Sequence, residues 1–140
     1  MLTGRLLHPQ VLAALAGNGH GAQVLIADGN YPLGTGTGPN AQLVYLNLEP
    51  GKLTATEVLD VIRELIPVEA AHVMGPADGS DPEIFAEFRR MLPGVELTPL
   101  GRFEFYDMAR GQDCALAIAT GEQRLYGNIL LTIGVVQPAR

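Results

Sequence analysis

At 140 residues the chain has the size of one domain, residues 1–140, and can bury a core without metals or disulfides. Hydrophobic residues are 47% and charged residues 17%, which points to surface buried against further copies of the chain. Net charge is −6, with nine basic residues and no basic run, and this argues against nucleic-acid or anionic-lipid partners.

Cys114 is the one cysteine, so there is no disulfide framework. The start of the chain lacks the apolar h-region of a signal peptide, and no stretch approaches the ~20 apolar residues of a membrane span. A cytoplasmic location is the expectation.

In chain order, Pro9 suits a first helical turn, and Val11 to Ala16 form a short helix stopped by Gly17. Asn18-Gly19-His20-Gly21 is a turn. Val24 to Ala27 is an apolar run that reads as a buried strand, closed by Asp28. Leu33 to Gln42, with Gly34, Gly36 and Gly38, reads as a mobile loop near the site, and it lacks the Gly-Lys-Ser/Thr of a phosphate loop.

Leu43 to Leu46 is a strand candidate. Thr54 with Glu57 makes a capping box, and Val58, Ile62, Leu65 and Ile66 follow at helical spacing up to Pro67. Ala70 to Met74 is the next strand. Ser80 or Asp81 caps a helix that carries Ile84, Phe85, Phe88 and Met91 on one side. Val95 to Leu100 is a short strand, and Phe103 to Arg110 a short helix with an aromatic face. Ala115 to Ala119 and Ile129 to Val136 are strands separated by a polar interruption, Thr120 to Asn128. Alternating strands and helices predict a layered α/β sheet, with the last two strands as antiparallel edges.

Five residues carry the candidate chemistry. His20, between two glycines, is suited to proton transfer near neutral pH. Asp28 follows a strand, where side chains project into a cleft. It serves equally well as a turn aspartate. The eight residues from His20 to Asp28, extended at ~3.3 Å each, span ~26 Å. The turn therefore folds His20 back, or the two act at opposite ends in sites shared between subunits. Tyr126 and Asn128, two apart, face one side if extended and offer uncharged donors and acceptors to sugar hydroxyls. Arg102 is a further hydroxyl donor. His72, inside an apolar strand, reads as a satisfied core histidine. His8, His20, His72 and Asp28 lack the close spacing of a metal site, so no metal or cofactor is expected.

Gly19-His20-Gly21, Ile26-Ala27-Asp28-Gly29-Asn30-Tyr31-Pro32, Arg102-Phe103-Glu104-Phe105-Tyr106, Thr120-Gly121-Glu122 and Tyr126-Gly127-Asn128-Ile129-Leu130 follow one another in this order. Together they resemble the D-ribose pyranase and L-fucose mutarotase family, from about Leu7 to Val135. The aromatic segment and the Asn-Tyr-Pro turn are similar to the fucose branch.

The resemblance implies a three-layer α/β sandwich with a mixed central sheet between helices. It also implies cofactor-free interconversion of sugar anomers or ring forms, in ring-like pentamers or decamers. It assigns His20 as proton donor and Asp28, Arg102, Tyr126 and Asn128 as sugar-binding residues. Three departures stand out. Ala22 replaces the usual Asp after Gly-His-Gly, the Leu33–Thr37 loop is unusual, and Arg110–Asp113 carries extra residues. A monosaccharide-binding protein without turnover, or a mutarotase for another sugar, is the alternative function.

Overall fold

The computed structural model describes residues 1–139. Its strands are β1 (Gln23–Ala27), β2 (Gln42–Tyr45), β3 (Val68–Met74), β4 (Leu97–Leu100), β5 (Cys114–Ala119) and β6 (Ile129–Ile133). Its helices are α1 (Pro9–Gly17), α2 (Ala55–Ile62), α3 (Glu83–Met91) and α4 (Arg102–Ala109). The strands form one sheet in the order β2-β5-β1-β6-β3-β4. All run parallel except β6, which is antiparallel to both β1 and β3.

The expected three-layer α/β sandwich is observed. Side chains alternate across each strand, so β1 sends Val24 and Ile26 to one face and Leu25 and Ala27 to the other. The first face is covered by α1, α2 and α3 through Val11, Val58, Leu59, Ile62, Ile84, Phe85 and Phe88. The second is covered by α4 and the segment after β1, through Phe105, Ala109, Tyr31 and Leu33.

The last two strands are interior rather than edges. β5 lies between β2 and β1, and β6 between β1 and β3. Their near-continuous burial explains this, because a strand covered on both faces gains most in the middle of a sheet. β4 is an edge strand, as Pro99 requires, since proline cannot donate to a second neighbour.

The helices follow local chemistry with three corrections. The Thr54 capping box forms with both reciprocal bonds, but α2 ends at Ile62, before Leu65, Ile66 and Pro67. Leu65 is exposed, so the helical spacing overran the helix. In α3 neither Ser80 nor Asp81 caps. Asp78 binds the Ser80 N–H, and Asp81 pairs with Arg89 at 2.9 Å. The aromatics of α4 do not share one face, because Phe105 is buried and Phe103 is exposed.

No helix among the described residues is long and apolar enough to cross a membrane. Because β6 runs opposite to its neighbours, its first residue lies where β1 and β3 end. Asp28, Gly75, Gly101, Thr120 and Asn128 therefore gather at one end of the sheet.

Candidate functional site

The carboxyl ends of β1, β2 and β5 open onto a cleft of about 430 Å³. Gly29, Asn30, Asn47, Glu49, Thr120 and Glu122 are among its lining residues. Clefts outside the carboxyl ends of parallel strands are the usual place for ligands in such sheets. The sequence does not mark Asn47 and Glu49 as site residues. Their one signal is a short polar turn after β2, which is too common to mark a site.

Asp28 and Asn128 form the polar centre beside this cleft. The Asp28 N–H donates to Asn128 Oδ1 at 2.7 Å, and Asn128 Nδ2 donates to Asp28 Oδ2 at 3.3 Å. Asp28 is only 6% exposed, and Asn128 is equally buried. Burial raises the Asp28 pKa above the ordinary carboxyl range. The N–H groups of Asn30, Gly127 and Tyr31, with the Asn128 amide, restrain the rise by stabilising the anion. Asp28 is at once a turn residue, accepting from the Asn30 N–H at 3.0 Å, and a carboxyl whose charge is held at a cost.

Tyr126 has φ +62°, a left-handed conformation that is strained for a bulky residue. Gly127 follows in a tight place. A Cβ there would sit 2.8 Å from Glu122 Cγ and 3.4 Å from Asp28 Cβ. The turn thus presses its backbone against the site while Tyr126 packs between the two cores.

Glu122 and Arg124 hold this turn from behind. Glu122 is buried and accepts from the Ala55 N–H at the start of α2, the Arg124 N–H, and the Arg124 guanidinium at 2.8 Å. Arg124 also pairs with Glu87 and donates to Thr56. The charged part of the polar interruption is therefore scaffold, joining α2 and α3 to the Tyr126 turn.

Arg102 opens α4. Its guanidinium lies 5.7 Å from the Tyr106 ring, and Tyr106 meets Tyr31 edge-on at 5.4 Å. Arg102 is thereby linked to the Asp28 turn through two aromatic rings, with its own charge exposed. The Leu33–Gln42 loop is pinned rather than loose. Tyr31 donates to Gly36 O at 2.6 Å, Arg110 Nε to Thr35 O at 3.0 Å, and Asn40 to Gln112 O at 2.9 Å. At Gly38 a Cβ would lie 2.1 Å from Gly111 O. The unusual loop and the extra residues at 110–113 are packed on each other as one feature.

His20 is not brought to Asp28. It precedes β1, Asp28 follows it, and the five residues of the strand itself span roughly 17 Å. The Gly21 N–H donates to Ile133 O, which fixes the turn at the far end of the sheet. There His20 is 58% exposed, borders a cavity of about 500 Å³, and holds Glu69 at 3.1 Å from Nε2. His72 is not the satisfied core residue expected. Its Nδ1 is buried without a hydrogen-bond partner among the described residues, and burial lowers its pKa. Its neighbours in the sheet, Leu130 on β6 and Thr98 on β4, sit in register through backbone pairing and offer that nitrogen nothing. Cys114 is buried, with its thiol pushed up to about 11.

A model of the RbsD / FucU transport protein family matches residues 1–136. The fucose mutarotase of Mus musculus is 32% identical over 146 residues, covering 94% of this chain and 92% of that protein. The fucose mutarotase of Homo sapiens is 30% identical over 145 residues, covering 94% and 90%. The structure of Bacillus subtilis RbsD complexed with D-ribose aligns with a TM-score of 0.84 at 25% identity, covering 98% of this chain and 100% of that one. The fucose mutarotase from Streptococcus pneumoniae in complex with L-fucose aligns with a TM-score of 0.79 at 31% identity, covering 93% and 94%.

Proposed function

The chain belongs to the RbsD / FucU transport protein family, and from that premise we propose that it is a sugar mutarotase that interconverts the anomers of L-fucose or a closely related monosaccharide. The observation that carries the reading is the Asp28–Asn128 pair, a buried carboxyl and carboxamide at the carboxyl ends of parallel strands beside an open polar cleft.

Mutarotation asks for two proton transfers. One group takes the proton of the anomeric hydroxyl while another protonates the ring oxygen. The carbon–oxygen bond of the ring breaks, the aldehyde turns its other face, and the same groups return the protons as the ring closes. Asp28 accepts from the sugar, because desolvation has already raised the cost of its charge and so its affinity for a proton. His20 is the proton donor. Arg102, Tyr126 and Asn128 bind and orient the sugar. Arg102 adds positive charge for developing oxygen charge.

His20 stands a strand length from Asp28 within one chain, so it serves an Asp28 site on another copy. This supports a homo-oligomer with sites shared between subunits, as a ring-like pentamer or decamer. Exposed apolar residues such as Leu48, Phe103, Leu125 and Val136 offer surface for it. A cytoplasmic location completes the reading.

The test is NMR saturation exchange between anomers for L-fucose, D-ribose and D-galactose, with and without protein. Acceleration greatest for L-fucose is expected. Exchange unchanged for every sugar despite measurable binding would select a sugar-binding protein instead.

A further inference from the structure

The Gly19-His20-Gly21 turn is followed by Ala22, so the local sequence supplies no carboxylate to the imidazole. The fold supplies one from 49 residues away. Glu69 Oε1 and Oε2 lie 3.1 and 3.2 Å from His20 Nε2. The path follows from the sheet. β6 separates β1 from β3, Ile133 O receives the Gly21 N–H, and Ile133 is in register with Val68. His20 and Glu69 therefore stand on either side of the last residue of β6 and meet across its end. Gly134, the next residue, keeps the crossing open: a Cβ there would sit 3.2 Å from Glu69 Cβ.

We propose that Glu69 is the positioning residue of His20, accepting a hydrogen bond from Nε2–H and leaving Nδ1 as the nitrogen that gives and regains the sugar's proton. Which nitrogen of a neutral imidazole keeps its proton is set by the bond the other one makes. A carboxylate has only acceptors, so it selects the Nε2–H form. During ring opening the imidazolium gives its Nδ1 proton to the ring oxygen, and the neutral ring retains the proton on Nε2 against Glu69. On closure Nδ1 takes a proton back. Both side chains are largely exposed, at 58% and 45%, so the pair adds little to stability. Its consequence lies in orientation and charge balance.

The other groups around the cavity beside His20 are Asp113 and the neutral amides Asn18, Asn40 and Gln112. Asp113 is the one competing carboxylate among the described residues there, which makes Asp113→Asn the control.

The role of Glu69 in fixing the tautomer stands apart from the mutarotase reading, and its effect on rate rests on that reading. Long-range nitrogen–proton NMR spectra of the full-length protein at about pH 8, where an ordinary histidine is neutral, separate the two. The expected result is a dominant Nε2–H signal for His20 in the wild type and in Asp113→Asn, and a mixture in Glu69→Ala. Anomer exchange by Glu69→Ala should fall about tenfold in kcat with KM unchanged. A dominant Nδ1–H signal in the wild type, or a Glu69→Ala spectrum identical to it, overturns the proposal. A wild type that accelerates no sugar overturns the mutarotase reading, while the tautomer measurement still decides whether Glu69 positions His20.

Discussion

The two ends of β1 are built on opposite terms. At its carboxyl end Asp28 is buried, bonded to Asn128, and backed by Gly127 and by the Glu122–Arg124 pair. At its amino end His20 is exposed, bonded to one exposed carboxylate, and flanked by glycines with open space around them. The first end is a buried carboxyl–carboxamide pair whose bonds are made within one chain. The second is presented outward, on a rigid turn, in the manner of a group that meets its reaction only when something else arrives. Removing a side chain should therefore disturb fold and function together at the first end, and function alone at the second.

Asp28→Asn should have the largest effect, a loss of about a thousandfold in anomer exchange. It keeps the acceptor for the Asn30 N–H but sets two amide Nδ2 groups against each other. A small drop in urea midpoint should accompany the loss. Exchange within tenfold of wild type would remove Asp28 from the reaction.

His20→Ala should follow, with exchange down about a hundredfold and stability unchanged within about 0.5 kcal/mol. Mixing unfolded His20→Ala and Asp28→Asn chains and refolding them together sharpens the contrast. If each site draws the two residues from different copies, about a quarter of sites regain both and activity returns in proportion. Mixtures no more active than the parents would place both groups in one chain's site, or neither in any.

Glu122→Ala attacks the scaffold of the buried end. It leaves the Ala55 and Arg124 N–H groups without their acceptor and a half-buried guanidinium without one partner. Partial exposure of Arg124 softens the loss, so about 2 kcal/mol is expected by urea unfolding. A change under about 0.5 kcal/mol would show that the Tyr126 turn stands without it.

The smallest effect is in linkage. Asp28 has a folded pKa above its unfolded one. Its contribution is full below the ordinary carboxyl range and declines as pH rises through the raised value. Glu57, Asp60 and Asp81 have lowered pKa values and act in the opposite sense. Subtracting the stability of Asp28→Asn from that of wild type at each pH cancels those groups. The difference should fall from acid toward neutral pH and then level off, as read by urea midpoints. A difference that rises over this range would mean that the bonds to Asn30, Gly127 and Asn128 outweigh burial.

Much of this was written locally. Thr54 and Glu57 specify a cap because a hydroxyl and a carboxylate three residues apart reach each other's N–H groups within one turn. The run before Asp28 reads as a strand, and a strand end is where a polar side chain meets a cleft. The Thr120–Asn128 interruption stands out because it breaks an apolar stretch. The role of its members did not, since Glu122 and Arg124 are scaffold only by virtue of Ala55, Thr56 and Glu87, far away in the chain. The Gly-rich loop looked mobile because its anchors, Arg110 and Gln112, lie more than seventy residues on.

By itself the sequence determined the order of strands and helices, the carboxyl at the end of β1 and the turn that holds the imidazole, because each depends on neighbours within a few residues. Only the tertiary structure decided that β6 runs antiparallel through the middle of the sheet. That placement put Asn128 against Asp28 and brought Glu69 across a strand end to His20. Such pairings join residues 49 and 100 positions apart. They are chosen by which buried strands can neighbour each other, a competition over the whole sheet that no local pattern records.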